Sequence, residues 1–86
     1  MSSPDQIKFP VVWNYRIILE SSQPASVAAI KDIFADFDPT INVETGSASG
    51  GGKYQSYYAS ALVNSLEELR ELSGRIERVP GVKFLL

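Results

Sequence analysis

The 86-residue sequence contains no cysteine and no histidine. Without thiols there is neither a disulfide framework nor a thiol nucleophile, and without imidazole the usual neutral-pH proton carrier and the commonest zinc ligand are missing. Catalysis would fall to carboxylates, Lys, Ser or Tyr. A surplus of one charge is also lacking: eight basic against ten acidic side chains leave a formal net charge of -2, without the positive excess that most nucleic-acid and anionic-membrane binders carry. Apolar runs such as Ile17-Ile18-Leu19 stop far short of the ~20 residues that a transmembrane helix needs. The opening Met-Ser-Ser-Pro-Asp resembles neither a signal peptide nor a myristoylation site, so a cytoplasmic protein without membrane attachment is expected.

What is present matches a small globular domain. A hydrophobic fraction of 44% and a charged fraction of 21% lie near the averages for folded soluble chains and disfavour disorder, collagen and coiled coil. A chain of this length makes one domain and buries about 60 to 65% of its unfolded surface. Residues 1–8 are polar and aperiodic and read as a flexible N-terminal arm, followed by a single domain over residues 9–86.

From Val11 to Glu20 the chain is rich in β-branched and aromatic residues, with Trp13, Tyr15, Ile17 and Leu19 at spacing two. That period predicts a strand burying one face. Trp13 and Tyr15 are expected in the core, where large aromatics contribute most. The opposite face holds Val12, Asn14, Arg16, Ile18 and Glu20, the mixture expected where a sheet face is only partly covered. At Ser21-Ser22-Gln23-Pro24 the period changes: the hydroxyls can cap a helix, and Pro suits its first turn. Val27, Ile30, Phe34 and Phe37, with Ile33 beside them, form the stripe of a first helix that Asp38-Pro39 ends.

A second strand is expected over Thr40 to Thr45, running into the tract Gly46 to Gly52, which reads as an unpacked, mobile hairpin tip. Lys53 to Val63 is the returning strand, with Tyr57, Ala59, Ala61 and Val63 inward and Tyr54, Ser56, Tyr58 and Ser60 outward. Ser65-Leu66-Glu67-Glu68 is a capping box in which the Ser hydroxyl and the Glu carboxylate each satisfy an orphaned N–H. It opens a helix with Leu66, Leu69, Leu72 and Ile76 inward, Arg75 and Arg78 near its negative end, and Pro80-Gly81 as its stop. Val82 to Leu86 forms a last short strand. The order βαββαβ predicts an α+β, ferredoxin-like two-layer sandwich, with an antiparallel sheet in the order 4-1-3-2 and both helices on one face.

Phe9-Pro10, Trp13-x-Tyr15-Arg16, Gly52-Lys53-Tyr54-x-Ser56 and the closing apolar pair Leu85-Leu86 together resemble the YbeD-like family of small bacterial proteins over about residues 9–86. The resemblance implies the ferredoxin-like fold, a likeness to the ACT domains that bind amino acids and regulate metabolic enzymes, and a suggested link to control of lipoate biosynthesis. An ACT-type ligand site uses a glycine where the first strand turns into the first helix. Here that place holds Gln23-Pro24-Ala25-Ser26, without the glycine.

The tract ending in Gly52-Lys53 is no phosphate loop: the register puts Ser47 at the first glycine and Tyr54 at the Mg²⁺ hydroxyl, and a strand follows instead of a helix. On the uncovered sheet face Arg16 should neighbour Tyr54, Ser56 and Tyr58, and these four are the candidate ligand- or partner-binding residues. RNA-recognition motifs also carry aromatics on the two central strands, but the RNP spacing is absent and the acidic balance opposes it. Asp32, Asp36 and Asp38 crowd the end of the first helix, where the helix dipole disfavours negative charge, a misfit that suits a cation or a basic partner; their spacing matches no calcium loop, and solvated carboxylates explain it. Glu71 and Arg75, four apart, should form a surface pair.

The expectation is a non-enzymatic regulatory module that binds a small metabolite or a protein partner in an ACT-like manner. No catalytic residue, cofactor or metal is expected. Single-stranded nucleic-acid binding through the open sheet face is the alternative, and disfavoured. The second and fourth strands fall at the sheet edges, so a monomer or an edge-strand homodimer is expected.

Overall fold

The alternation of residues 11–20 produces, in a computed structural model describing residues 8–20, 24–48 and 50–86, a ten-residue strand, β1 (Val11–Glu20). Most of the N-terminal arm, the expected helix cap at Ser21 to Gln23, and Ser49 in the glycine tract lie outside the described residues. β3 (Tyr54–Val63) pairs antiparallel with β1 in unbroken register, from Val11 opposite Val63 to Glu20 opposite Tyr54. β2 (Glu44–Ala48) flanks β3, and β4 (Val82–Leu85) flanks β1, giving the sheet order β2-β3-β1-β4. Read from the other edge this is the expected 4-1-3-2. With α1 (Pro24–Phe37) and α2 (Leu66–Glu77), the chain is a ferredoxin-like two-layer sandwich.

The strand period decides what meets the helices. Tyr15, Ile17 and Leu19 of β1 and Ala59, Ala61 and Val63 of β3 are buried, with Tyr57 half-buried beside them. Alanines at two of these positions leave room for the helices to approach the sheet. Ile30 and Phe34 of α1 and Leu69, Leu72 and Ile76 of α2 close the core from above. Trp13 packs against this core but stays half-buried. Tyr15 meets Phe34 edge to face, with ring centroids 5.6 Å apart, the arrangement that ring quadrupoles favour. Its hydroxyl shares a 2.8 Å hydrogen bond with Ser73 Oγ, which supplies the polar partner that a buried phenol requires. Burial raises the Tyr15 pKa, and the Ser73 bond opposes that rise in part.

Four local expectations are corrected. β2 begins at Glu44 instead of Thr40 and continues into the glycine tract, so Gly46, Ser47 and Ala48 are strand; the reason lies in the Tyr58 ring described below. Ile41 and Val43 still pack against the core, but as irregular chain. The α1 stripe includes Ser26, a buried residue one helical turn before Ile30, whose hydroxyl donates to the Pro80 carbonyl. At α2 the Ser65 hydroxyl accepts from Glu68 N–H at 3.1 Å as expected, but the Glu68 carboxylate reaches past Ser65 to the backbone N–H of Asn64, also at 3.1 Å. Arg75 pairs with Asp36 of α1 at 2.9 Å instead of with Glu71, because the two helices lie side by side.

Phe34→Ala should cost about 3 to 5 kcal/mol, since it empties the centre of the helix layer. Tyr15→Phe should cost only about 1 kcal/mol, the net worth of one hydrogen bond, with Ser73 left half-exposed to water. Urea denaturation of both variants checks the ratio.

Candidate binding face of the sheet

Because the odd-numbered residues of β1 turn to the helices, its even-numbered residues turn away, and the register carries their β3 partners with them. One row crosses β2, β3 and β1 and ends on the residue that follows β4. Leu86 exchanges both backbone hydrogen bonds with Arg16, Arg16 stands opposite Tyr58, and Tyr58 stands opposite Glu44. On one side of this row lie Phe84, Ile18 and Ser56. On the other side Asn14 and Ser60 face each other, the Ser60 hydroxyl donating to Asn14 Oδ1 at 2.6 Å, and beyond them Val12 faces Leu62.

This outer face collects every exposed large hydrophobic among the described residues: Val12, Tyr58, Leu62, Phe84 and Leu86, with 38% of Tyr58 and 64% of Phe84 and of Leu86 accessible. Single exposed apolar side chains are ordinary, whereas their confinement to one face makes that face the candidate contact surface. Arg16 and Glu44 stand exposed among them on either side of Tyr58, and neither takes part in an ion pair among the described residues. The rim has its own pair, Lys83 with Glu20 at 3.3 Å.

Of the four residues expected to form the site, Arg16 and Tyr58 are direct cross-strand partners. Ser56 shares their face but is 6% exposed, flanked on its strand by Tyr54 and Tyr58, so its hydroxyl is not offered to a partner. Tyr54 is opposite Glu20, four residues from Tyr58 along β3, or about 13 Å at strand rise; Lys53 Nζ lies 5.7 Å from its ring centroid. The grouping of four thus reduces to Arg16 and Tyr58, joined by Glu44 and the five apolar side chains.

Tyr58 also explains the glycine tract. A Cβ built on Gly46 would run into the Tyr58 ring, so the ring occupies the space that this glycine leaves. Gln55 Nε2 donates to the Gly46 carbonyl at 2.6 Å and fixes the same segment from its other side. The register slips between Thr45 and Ala48, and Gly51 and Gly52 then turn the chain at φ 84° and 70°, backbone that side-chain-bearing residues seldom adopt.

Since β2 begins only opposite Tyr58, the far half of β3 has no described strand on the side away from β1. A cleft of about 320 Å³ opens there, lined by Asp38, Asn42, Glu44, Tyr58, Ser60 and Leu62 among others. Asp38 is committed locally: its carboxylate accepts from Thr40 N–H at 3.0 Å and from Thr40 Oγ1 at 2.8 Å. The backbone bond first, and the hydroxyl second, hold its pKa below the ordinary 3.8. With Asp36 bound to Arg75, two of the three carboxylates expected at this end of α1 have partners within the chain.

A family model described as a protein of unknown function, DUF493, matches residues 4–86. An uncharacterised protein of Campylobacter jejuni, Cj0253, is 30% identical over 81 residues, which cover 94% of this chain and 87% of that one. Two solution structures of protein HP0495 from Helicobacter pylori superpose with TM-scores of 0.79 and 0.69, both at 22% identity; the first covers 94% of this chain and 86% of its own, the second 100% and 96%. The C-terminal domain of the MgtC protein from Mycobacterium tuberculosis superposes at 0.60, with 16% identity, 93% of this chain and 88% of its own. At these identities the likeness is one of fold.

Gly46→Ala should destabilise the domain by displacing the Tyr58 ring, and most of that cost should vanish in a Tyr58→Ala background; a double-mutant cycle by chemical denaturation measures the coupling. Asp38 should titrate below 3.8 by ¹³C NMR of its carboxyl carbon. Because the folded pKa is depressed, the stability contributed by Asp38 is complete above its ordinary pKa and is lost as the pH falls through the folded value.

Proposed function

The chain belongs to the DUF493 family of proteins of unknown function, and on that footing we propose that it is a YbeD-like, non-enzymatic regulatory module of the cytoplasm that works by binding another protein surface through its open sheet face. The observation that carries this reading is the confinement of all exposed large hydrophobics of the described residues to that face, around Arg16 and Glu44. An apolar patch of this kind costs solubility unless something covers it.

A protein surface suits the geometry better than a metabolite does. The apolar side chains are spread over β1, β3 and β4 and do not converge on a pocket. The adjoining cleft, at about 320 Å³, is at the small end of ligand sites and is lined mainly by polar groups, where such sites are mostly apolar. Nucleic acid fits poorly: Tyr58, the aromatic nearest Arg16, has Glu44 on its other flank, where a phosphate would be repelled.

A photo-crosslinking residue placed at Val12 or Leu62 should capture protein in living bacteria, whereas the same residue at Lys31, on the exposed side of α1, should not. Equal capture from all three positions, or none from any, contradicts the reading.

A further inference from the structure

We propose that the surface covering the open face is a second copy of this chain, packed sheet against sheet about a two-fold axis that runs along the strands between β1 and β3. The inference rests on the reading of that face as protein-binding and names its partner.

The case begins with the row through Arg16. It carries one cation and one anion, Arg16 on β1 and Glu44 on β2, with Tyr58 between them on β3. Neither charge has an ion-pair partner within the chain among the described residues, yet both stand on an apolar face whose covering would strip them of water. A foreign surface would have to supply a matching anion and a matching cation. A second copy supplies both by symmetry, because an isologous contact presents the same patch twice.

The geometry follows from the axis. Rotation about a line parallel to the strands keeps each row at its own height and exchanges the two sides of the sheet, laying β1 over β3 of the second copy and β4 over its β2. Arg16 then covers the Tyr58 ring of the second copy, a cation–π contact. Glu44 of the second copy is one strand further on, about 4.8 Å to the side and within reach of the long guanidinium stem. Both contacts occur twice. Val12 falls over Leu62 of the second copy, and Phe84 falls over the Gly46–Ala48 end of its β2, where side chains are small or absent. Aligned sheets pack about 10 Å apart with strands within about 30°, a spacing that these side chains fill.

The size is sufficient. The molecule is 19 Å across its thinnest dimension, one sheet plus one helix layer, and among the described residues no helix covers the outer face. The two ten-residue strands with the five residues of β2 and the four of β4, at about 3.3 Å per residue and about 4.8 Å between strands, give a footprint of roughly 460 Å² in projection and more in accessible surface. That is the order of the ~800 Å² per partner buried in a standard stable interface.

Sedimentation equilibrium of the full chain, the two single charge reversals Arg16→Glu and Glu44→Arg, their equimolar mixture and the double variant tests the proposal, with thermal melts to establish that each is folded. The wild type should dimerise. Each single reversal brings like charges together twice and should weaken the dimer at least about tenfold. The mixture and the double variant should recover it, because both opposite-charge pairs are restored across the interface. A wild-type dimer indifferent to the reversals overturns the proposal in favour of an edge-strand contact, and a wild type that stays monomeric at ~1 mM overturns it outright. If that monomer still crosslinks in cells to a different protein from Val12 or Leu62, the second copy is wrong while the binding face stands; if it crosslinks to nothing, both fall.

Discussion

The uninterrupted pairing of β1 with β3 governs what the rest of the molecule can be. Over ten residues the two strands run without a bulge, so one choice of parity at Tyr15 sorts twenty side chains between two faces. A slip by a single residue would send Ile17 and Leu19 to the outside and bring Arg16 and Glu20 under the helices. The helices hold the register in place. Phe34 and Ile30 from α1, and Leu72 and Ile76 from α2, fill the space over Tyr15, Ala59 and Ala61, and the Tyr15 to Ser73 hydrogen bond ties the sheet to α2.

The same parity creates the outer face as its complement. A domain that needed only to fold would gain nothing by placing Val12, Leu62, Phe84 and Leu86 opposite its core, since each is more than half accessible there. Their arrangement together with Arg16 and Glu44, neither of them in an ion pair among the described residues, resembles half of an interface: apolar area for affinity, isolated charges for orientation. β2 contributes in an unexpected way. Its glycine lets the Tyr58 ring lie down across the strand, so that Tyr58 joins Arg16 to Glu44 in one continuous row. This surface has no counterpart of a catalytic constellation. The two-layer fold commits only one side of its sheet to its own core, and the proposed protein contact uses the other side.

The strands and helices were largely legible in the sequence because their periods are clean. Trp13, Tyr15, Ile17 and Leu19, and Tyr57, Ala59, Ala61 and Val63, put an apolar side chain at every second position, and the Ile30, Phe34 and Leu69, Leu72, Ile76 stripes have no competing assignment. The boundaries of β2 were not, because its pairing depends on contacts from outside its own segment: Thr40 to Val43 look like strand but have no neighbour to bond, whereas Gly46 to Ala48 look like loop but are held by Tyr58 and Gln55. Of the candidate site, Arg16 beside Tyr58 could be read from the topology alone. Ser56 could not be ruled out, since its burial comes from its neighbours. The apolar members were signalled and missed: Val12 and Leu62 interrupt otherwise polar alternations, and three apolar residues in succession at Phe84 to Leu86 cannot all point inward. Asp36 was a misfit only while α2 was out of view, for it answers Arg75 across the helix pair.

The claim on which the account turns is that residues 12, 16, 58 and 62 face away from the helices and are open to solvent in the single chain. A soluble paramagnetic relaxation agent, added to a dilute methyl-labelled sample, reads this directly. Strong relaxation at the Val12 and Leu62 methyls beside near-silence at Ile17, Leu19 and Val63 is the predicted result. Equal protection of both sets, or strong relaxation at Ile17 and Leu19, would contradict it.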